Sequence, residues 1–228
     1  MVGNICVLTI ASVNHFFAVV SKKTLSASDV LVAPEATRFL GMFVWLTVQT
    51  NLICAGYYIL SLVSYVLNSH ILDAVLVRAF PLSFGLGFQL SILYYTLDHW
   101  NPENVKRRRT FSAKGFPHCE LAAHIEHALA TPVALLQACS LSLPAGIACP
   151  SGMDVLRHVG LYATFYLMLS IINRFATGRW QYPVLEDAQK ATGVLGVAAF
   201  FCAIVAIGFT SSFLGIALLS ALGRCNGR

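Results

Sequence analysis

The chain has 228 residues, a mean hydropathy of +0.71, 57% hydrophobic and 11% charged residues, and a net charge of +5. The apolar residues come in runs and the charges fall between them, which excludes a soluble globular domain and the alternating pattern of a β-barrel. Spanning chains must satisfy their backbone groups internally, so the fold class is all-α: a polytopic membrane protein. The positive balance then reads as a topology signal, not as a surface for nucleic acid.

Six spans are expected, at about 2–20, 39–67, 75–97, 121–143, 153–175 and 191–222, forming one six-helix transmembrane domain over 1–228. The first stops at Lys22-Lys23. No basic stretch precedes it, so it reads as a retained helix rather than a cleaved signal. The second follows a polar loop and Arg38. Asn68-Ser-His70 turns the chain into the third, where Pro81, Gly85 and Gly87 allow a kink or close packing. The main hydrophilic loop, 98–120, holds Lys106-Arg107-Arg108-Arg109, a run suited to anionic headgroups. The fourth span carries His124-Ile-Glu-His127 and then Pro132. Pro144, Gly146, Pro150 and Gly152 mark the turn into the fifth. The stretch Thr177 to Glu186 reads as a structured loop before the sixth.

Six spans put both termini on one side, with the turns after the second and fourth. Most Lys and Arg residues lie towards the opposite side, which the positive-inside rule makes cytosolic. The localisation expected is a multi-pass protein of the endoplasmic reticulum or plasma membrane. The seven cysteines are scattered, with no zinc-ligand spacing. Cys139 and Cys149 bracket one short loop and could pair if it faces an oxidising lumen.

Polar side chains at bilayer depth carry the functional signal, because each costs several kcal/mol, roughly 2.5–3.5 on insertion scales. His124, His127 and Thr131 share one helical face. Pro132 deprives the Ala128 carbonyl of its helical partner just beyond His127. In the second span Thr47 and Asn51 lie one turn apart. Counted along the helices, Thr47 lies roughly 13 Å, and His127 about 10 Å, below the same side. An imidazole that meets a hydroxyl can take its proton and make it a nucleophile. His124, Asp98 and Asn173 are candidates to orient that base, and Asn51 to stabilise an oxyanion. The bland alternative is a kinked helix whose histidines only hold a neighbouring helix. His15, His124, His127 and Asp98 also allow a metal cluster, on weak spacing.

Four stretches resemble the androgen-induced membrane protein family. Thr177-Gly-Arg-Trp-Gln-Tyr182-Pro-Val-Leu-Glu186 is similar to that family's Thr-Gly-x-Trp-x-Tyr-Pro-x-Leu-Glu loop. His124-x-x-His127 with Pro132, Phe80-Pro81 with Asp98 closing the third span, and Trp45-Leu46-Thr47 with Tyr57-Tyr58 follow the family's order over about residues 38–215. Cys54 stands where the family commonly has glutamine. The resemblance implies a threonine hydrolase of fatty acid esters of hydroxy fatty acids, with Thr47 as nucleophile and His127 as base. Thr50 is a competing hydroxyl, and an alignment begun at Phe39-Leu40 puts Met42 at the threonine position. The family is drawn with cytosolic termini, against the charge count here.

The function expected is therefore a membrane-embedded hydrolase whose substrate is a lipid ester, with the bilayer as its setting. No metal or organic cofactor and no nucleic acid is implied. The rival readings are a non-catalytic transporter or scaffold, and a metal-dependent membrane enzyme.

Overall fold

The structure, a computed structural model, describes residues 2–26, 39–113, 118–141, 143 and 146–225. Most of the loop expected after the first span, together with Arg38, Lys114 and Pro144, lies outside them. The described residues are mostly helical: α1 (Val2–Ser26), α2 (Leu46–Leu67), α3 (His70–Leu93), α4 (Pro102–Ala113), α5 (Cys119–His127), α6 (Ala130–Ser140), α7 (Gly152–Thr177), α8 (Pro183–Thr192) and α9 (Val194–Ala221). A 3-10 turn, Gly41–Val44, leads into α2, and a π-helical turn, Tyr94–Asp98, ends α3.

Among the described residues, four helical stretches are long and apolar enough to cross a membrane: Leu46–Leu67, His70–Asp98, Gly152–Thr177 and Val194–Ala221. This makes the chain an integral membrane protein. It falls short of the six spans expected from the runs. The apolar described part of α1 is the shorter Ile5–Ala18. The fourth expected span is divided into α5 and α6 by a break at residues 128–129. The physical reason is Pro132, which has no N–H for the Ala128 carbonyl. The second span also starts later than expected, because residues 39–45 are turns ahead of α2. Part of the hydrophilic loop is helical as α4, and α8 stands apart from α9 at Gly193.

Local chemistry fixes the helix ends. At the α2–α3 hairpin, Asn68 adopts a left-handed conformation (φ 49°) and the Ser69 N–H bonds back to the Ser64 carbonyl at 3.1 Å. The Ser64 hydroxyl then donates to Asp73 at 2.6 Å, joining the two helices. A capping box of Ser151 and Asp154 starts α7.

The core lies where α1, α2, α3, α6 and α9 meet, around Tyr58, Phe80, Phe84, Ala134 and Leu219. A second apolar cluster joins Leu46 to Tyr166, Leu185, Val197 and Phe201. Gly85 allows the close approach of α3 and α9, since a Cβ there would meet the Ser212 hydroxyl and lie 3.1 Å from the Ser212 backbone nitrogen. Much of α7 and α9 is exposed and apolar, as at Leu161, Phe175, Leu195 and Phe213, a surface suited to lipid.

The cysteine pairing differs from the one expected. Cys149 bonds to Cys225, 76 residues on, with Cα atoms 5.5 Å apart. Cys139 is free and exposed, and its carbonyl accepts from Arg224 at 2.7 Å. The bridge ties the segment ahead of α7 to the end of α9, a partnership that loop proximity alone could not reveal.

Candidate active site

Thr47 is the second residue of α2. It therefore lies in the first turn of its helix, not two turns into a span as counting from Arg38 suggested. Trp45 at the helix boundary supplies no side-chain cap. The Leu46 N–H instead donates to the Tyr182 hydroxyl at 2.9 Å. Gln49 folds back, its amide donating to the Phe43 carbonyl at 2.7 Å and its oxygen accepting from Tyr162 at 3.1 Å. The aromatic loop before α8 thus closes the end of the helix that carries Thr47.

His127 is the last residue of α5, at the break. The helical ladder lapses there, and two carbonyls take side-chain donors instead. The Asn51 amide donates to the Glu126 carbonyl at 3.3 Å, and the Ser91 hydroxyl to the His127 carbonyl at 2.6 Å. Gly87, one turn before Ser91, leaves room for the approach, since a Cβ there would lie 3.3 Å from the Ala130 carbonyl oxygen. The imidazole stacks on Tyr94 with centroids 4.4 Å apart and planes 13° apart.

The two side chains meet. Thr47 Oγ1 lies 3.3 Å from His127 Nε2, and both residues are half-buried. His127 Nδ1 lies 2.7 Å from the Ala123 carbonyl, which can only accept. Nδ1 therefore carries the proton, and Nε2 offers its lone pair to the threonine hydroxyl. An alcohol donating to an unprotonated imidazole nitrogen is the starting arrangement of a nucleophile and its base. The N–H groups of Thr47 and Val48 have no helical carbonyl behind them, so the end of α2 favours negative charge beside the hydroxyl.

The other sequence candidates take different places. Asn51 donates to the Thr47 carbonyl at 2.9 Å as well as to Glu126, so both amide hydrogens face backbone and neither is left for an oxyanion. Its oxygen meets His15 Nδ1 at 2.6 Å. The orienting bond on His127 comes from Ala123, a backbone group, rather than from His124, Asp98 or Asn173. His124 meets the Tyr95 hydroxyl at 3.2 Å, and Asp98 pairs with Arg108 at 2.9 Å. Asn173 accepts from the Phe39 N–H at 2.8 Å and donates to the Arg179 carbonyl at 3.1 Å, shaping the loop. Thr50 is buried, and Tyr57-Tyr58 lies in the core. Among the described residues no group of three or more His, Cys, Asp and Glu is arranged to hold a metal ion.

Sequence reasoning missed Ser91, Tyr94 and Tyr182 as site residues. A serine inside an apolar helix was the available signal for Ser91. Tyr94 lies in an aromatic run and Tyr182 in the loop motif, where neither stands out by sequence as a partner of the pair.

Comparison with known proteins agrees with the motifs. A family model described as FAR-17a/AIG1-like protein matches residues 5–219. The chain belongs to this family. It is the androgen-induced family that the loop and histidine motifs resemble. No curated protein and no solved structure matches the chain.

Proposed function

We propose that this member of the FAR-17a/AIG1-like family is a membrane-embedded threonine hydrolase of lipid esters. Fatty acid esters of hydroxy fatty acids are the substrate class that the family resemblance implies. One observation carries the reading: Thr47 Oγ1 stands 3.3 Å from an imidazole nitrogen whose partner nitrogen is held on a backbone carbonyl. The separation is long for a working hydrogen bond, as such bonds often are before substrate tightens them.

In the proposed reaction Thr47 Oγ1 attacks the ester carbonyl carbon while His127 Nε2 takes its proton. The negative charge on the carbonyl oxygen faces the N-terminal end of α2. The intermediate collapses by breaking the bond to the leaving oxygen, which receives the proton from Nε2. The acyl group is then on Thr47. Water attacks that ester, gives its proton to Nε2, and the returning proton restores the threonine hydroxyl as the fatty acid leaves. The steps use these side chains and water, with no cofactor.

The position of Thr47 in the first turn of α2 suits this chemistry. It puts the reacting carbonyl near the end of the bundle, within reach of water, while the acyl chains lie against apolar helix surface. In this reading the broken pair α5–α6 serves as the fourth crossing and α1 as the first. The Cys149–Cys225 bridge supports an oxidising compartment at that end of the bundle. The charge count, which makes the opposite end cytosolic, supports the same orientation. A protein of the endoplasmic reticulum or plasma membrane fits both.

The test is covalent labelling. A fluorophosphonate should label the intact protein and leave Thr47→Ala and His127→Ala unlabelled. Equal labelling of all three would remove the assignment and favour a scaffold or transporter whose polar residues only join helices.

A further inference from the structure

We infer that His15, on α1, is a positioning residue for the Thr47–His127 pair and acts through Asn51. The inference rests on the hydrolase reading and goes beyond it by extending the machinery to the N-terminal helix. Asn51 Nδ2 donates to the Thr47 carbonyl at 2.9 Å and to the Glu126 carbonyl at 3.3 Å. The first bond lies within α2. The second crosses to α5, at the residue just before His127. With both amide hydrogens on carbonyls, Asn51 Oδ1 is the acceptor of the 2.6 Å contact with His15, and His15 Nδ1 is the donor.

This bond adds to the two carbonyl contacts in fixing which way the Asn51 amide faces. Rotated by half a turn, the amide would set its oxygen against the carbonyls of Thr47 and Glu126 and its hydrogens against the His15 N–H. The two carbonyl contacts would be repulsive, and the third as well while the His15 proton stays on Nδ1. His15 therefore anchors the amide oxygen and steadies the orientation that clamps α5 to the Thr47 turn.

A packing role alone explains less. His15 is fully buried and its ring stacks on Tyr58, with centroids 5.5 Å apart and planes at 14°. A hydrocarbon ring would fill that stack equally well. The histidine instead leaves its Nε2 buried without a hydrogen-bond partner among the described residues. Such an atom is costly, and what accompanies it is the Nδ1–H bond to Asn51.

Two variants separate the bond from the ring. His15→Asn keeps a donor where Nδ1 stands and removes the ring. His15→Phe keeps the ring and removes the donor. With a fatty ester as substrate, His15→Phe should lower kcat about 10- to 100-fold, the scale set by misplacing a reacting group, and leave KM within about twofold. His15→Asn should keep most of the activity. The reverse pattern, equal activity in both variants, or loss in both with the disulfide and a monodisperse detergent profile intact would each overturn the inference. Should either variant fail to fold, nitrogen NMR of histidine-labelled wild-type protein decides. It should show His15 protonated at Nδ1, and protonation at Nε2 alone would overturn the inference. An inert wild type would sink the hydrolase reading and this inference with it. That result differs from a reactive wild type whose His15→Phe variant is equally reactive.

Discussion

The Tyr182 hydroxyl accepts the Leu46 N–H at 2.9 Å, joining the aromatic loop ahead of α8 to the first turn of the helix that carries Thr47. The loop also holds itself in place. Glu186 accepts from the Trp180 N–H at 2.6 Å and pairs with Arg174 at 3.2 Å, while the Trp180 indole donates to Gln189 at 2.5 Å. The most family-like segment of the sequence is thus a cap for the proposed catalytic helix, 136 residues away.

Tyr182→Phe should remove that cap and keep the ring. Loss of a helix N-cap costs about 0.5–2 kcal/mol, so the detergent-solubilised protein should melt a few degrees lower. Fluorophosphonate labelling should slow as the Thr47 turn loosens. Unchanged labelling and melting would show that Tyr182 only packs.

Ser91→Ala should act on the other half of the pair. It deprives the His127 carbonyl, at a half-buried residue, of a 2.6 Å donor at the helix break. An acceptor left unsatisfied costs about 1–3 kcal/mol, so stability should fall by that order. The turnover rate should fall more than substrate affinity, because the lost bond fixes the backbone that carries the imidazole and not the acyl chain. Steady-state kinetics with a fatty ester would separate the two parameters.

These contacts show what the sequence made legible. Apolar runs located α2, α3, α7 and α9, and Pro132 located the break beyond His127. Depth counting brought Thr47 and His127 to one level, although Thr47 falls in the first turn of α2 rather than two turns along it. Periodicity does not say that residues 39–45 turn before α2 begins. The partners of the pair were less legible because they are set by packing between distant segments. Ala123 orients His127 through its backbone, which side-chain chemistry cannot announce. Asn51 looked like an oxyanion donor by its spacing from Thr47, but the carbonyls freed at the α5 break claim its hydrogens. The polar composition of α4 and α8 read as loop, since a helix outside the apolar spans carries no hydropathy signal.

The disulfide gives a prediction about orientation. In protein alkylated within native membranes before lysis, peptide mapping should recover Cys149 joined to Cys225. Cys149→Ser should leave Cys225 open to alkylation and lower stability by about 2–4 kcal/mol, the usual effect of losing such a bridge. Both thiols found reduced in native membranes would contradict an oxidising compartment at that end.

Peptide mapping of the fluorophosphonate-labelled protein tests the central claim most directly. The adduct should fall on Thr47, and it should be absent when His127 is replaced by alanine. An adduct on Thr50 or any other residue, or an intact protein that hydrolyses fatty esters with Thr47 replaced, would contradict the account.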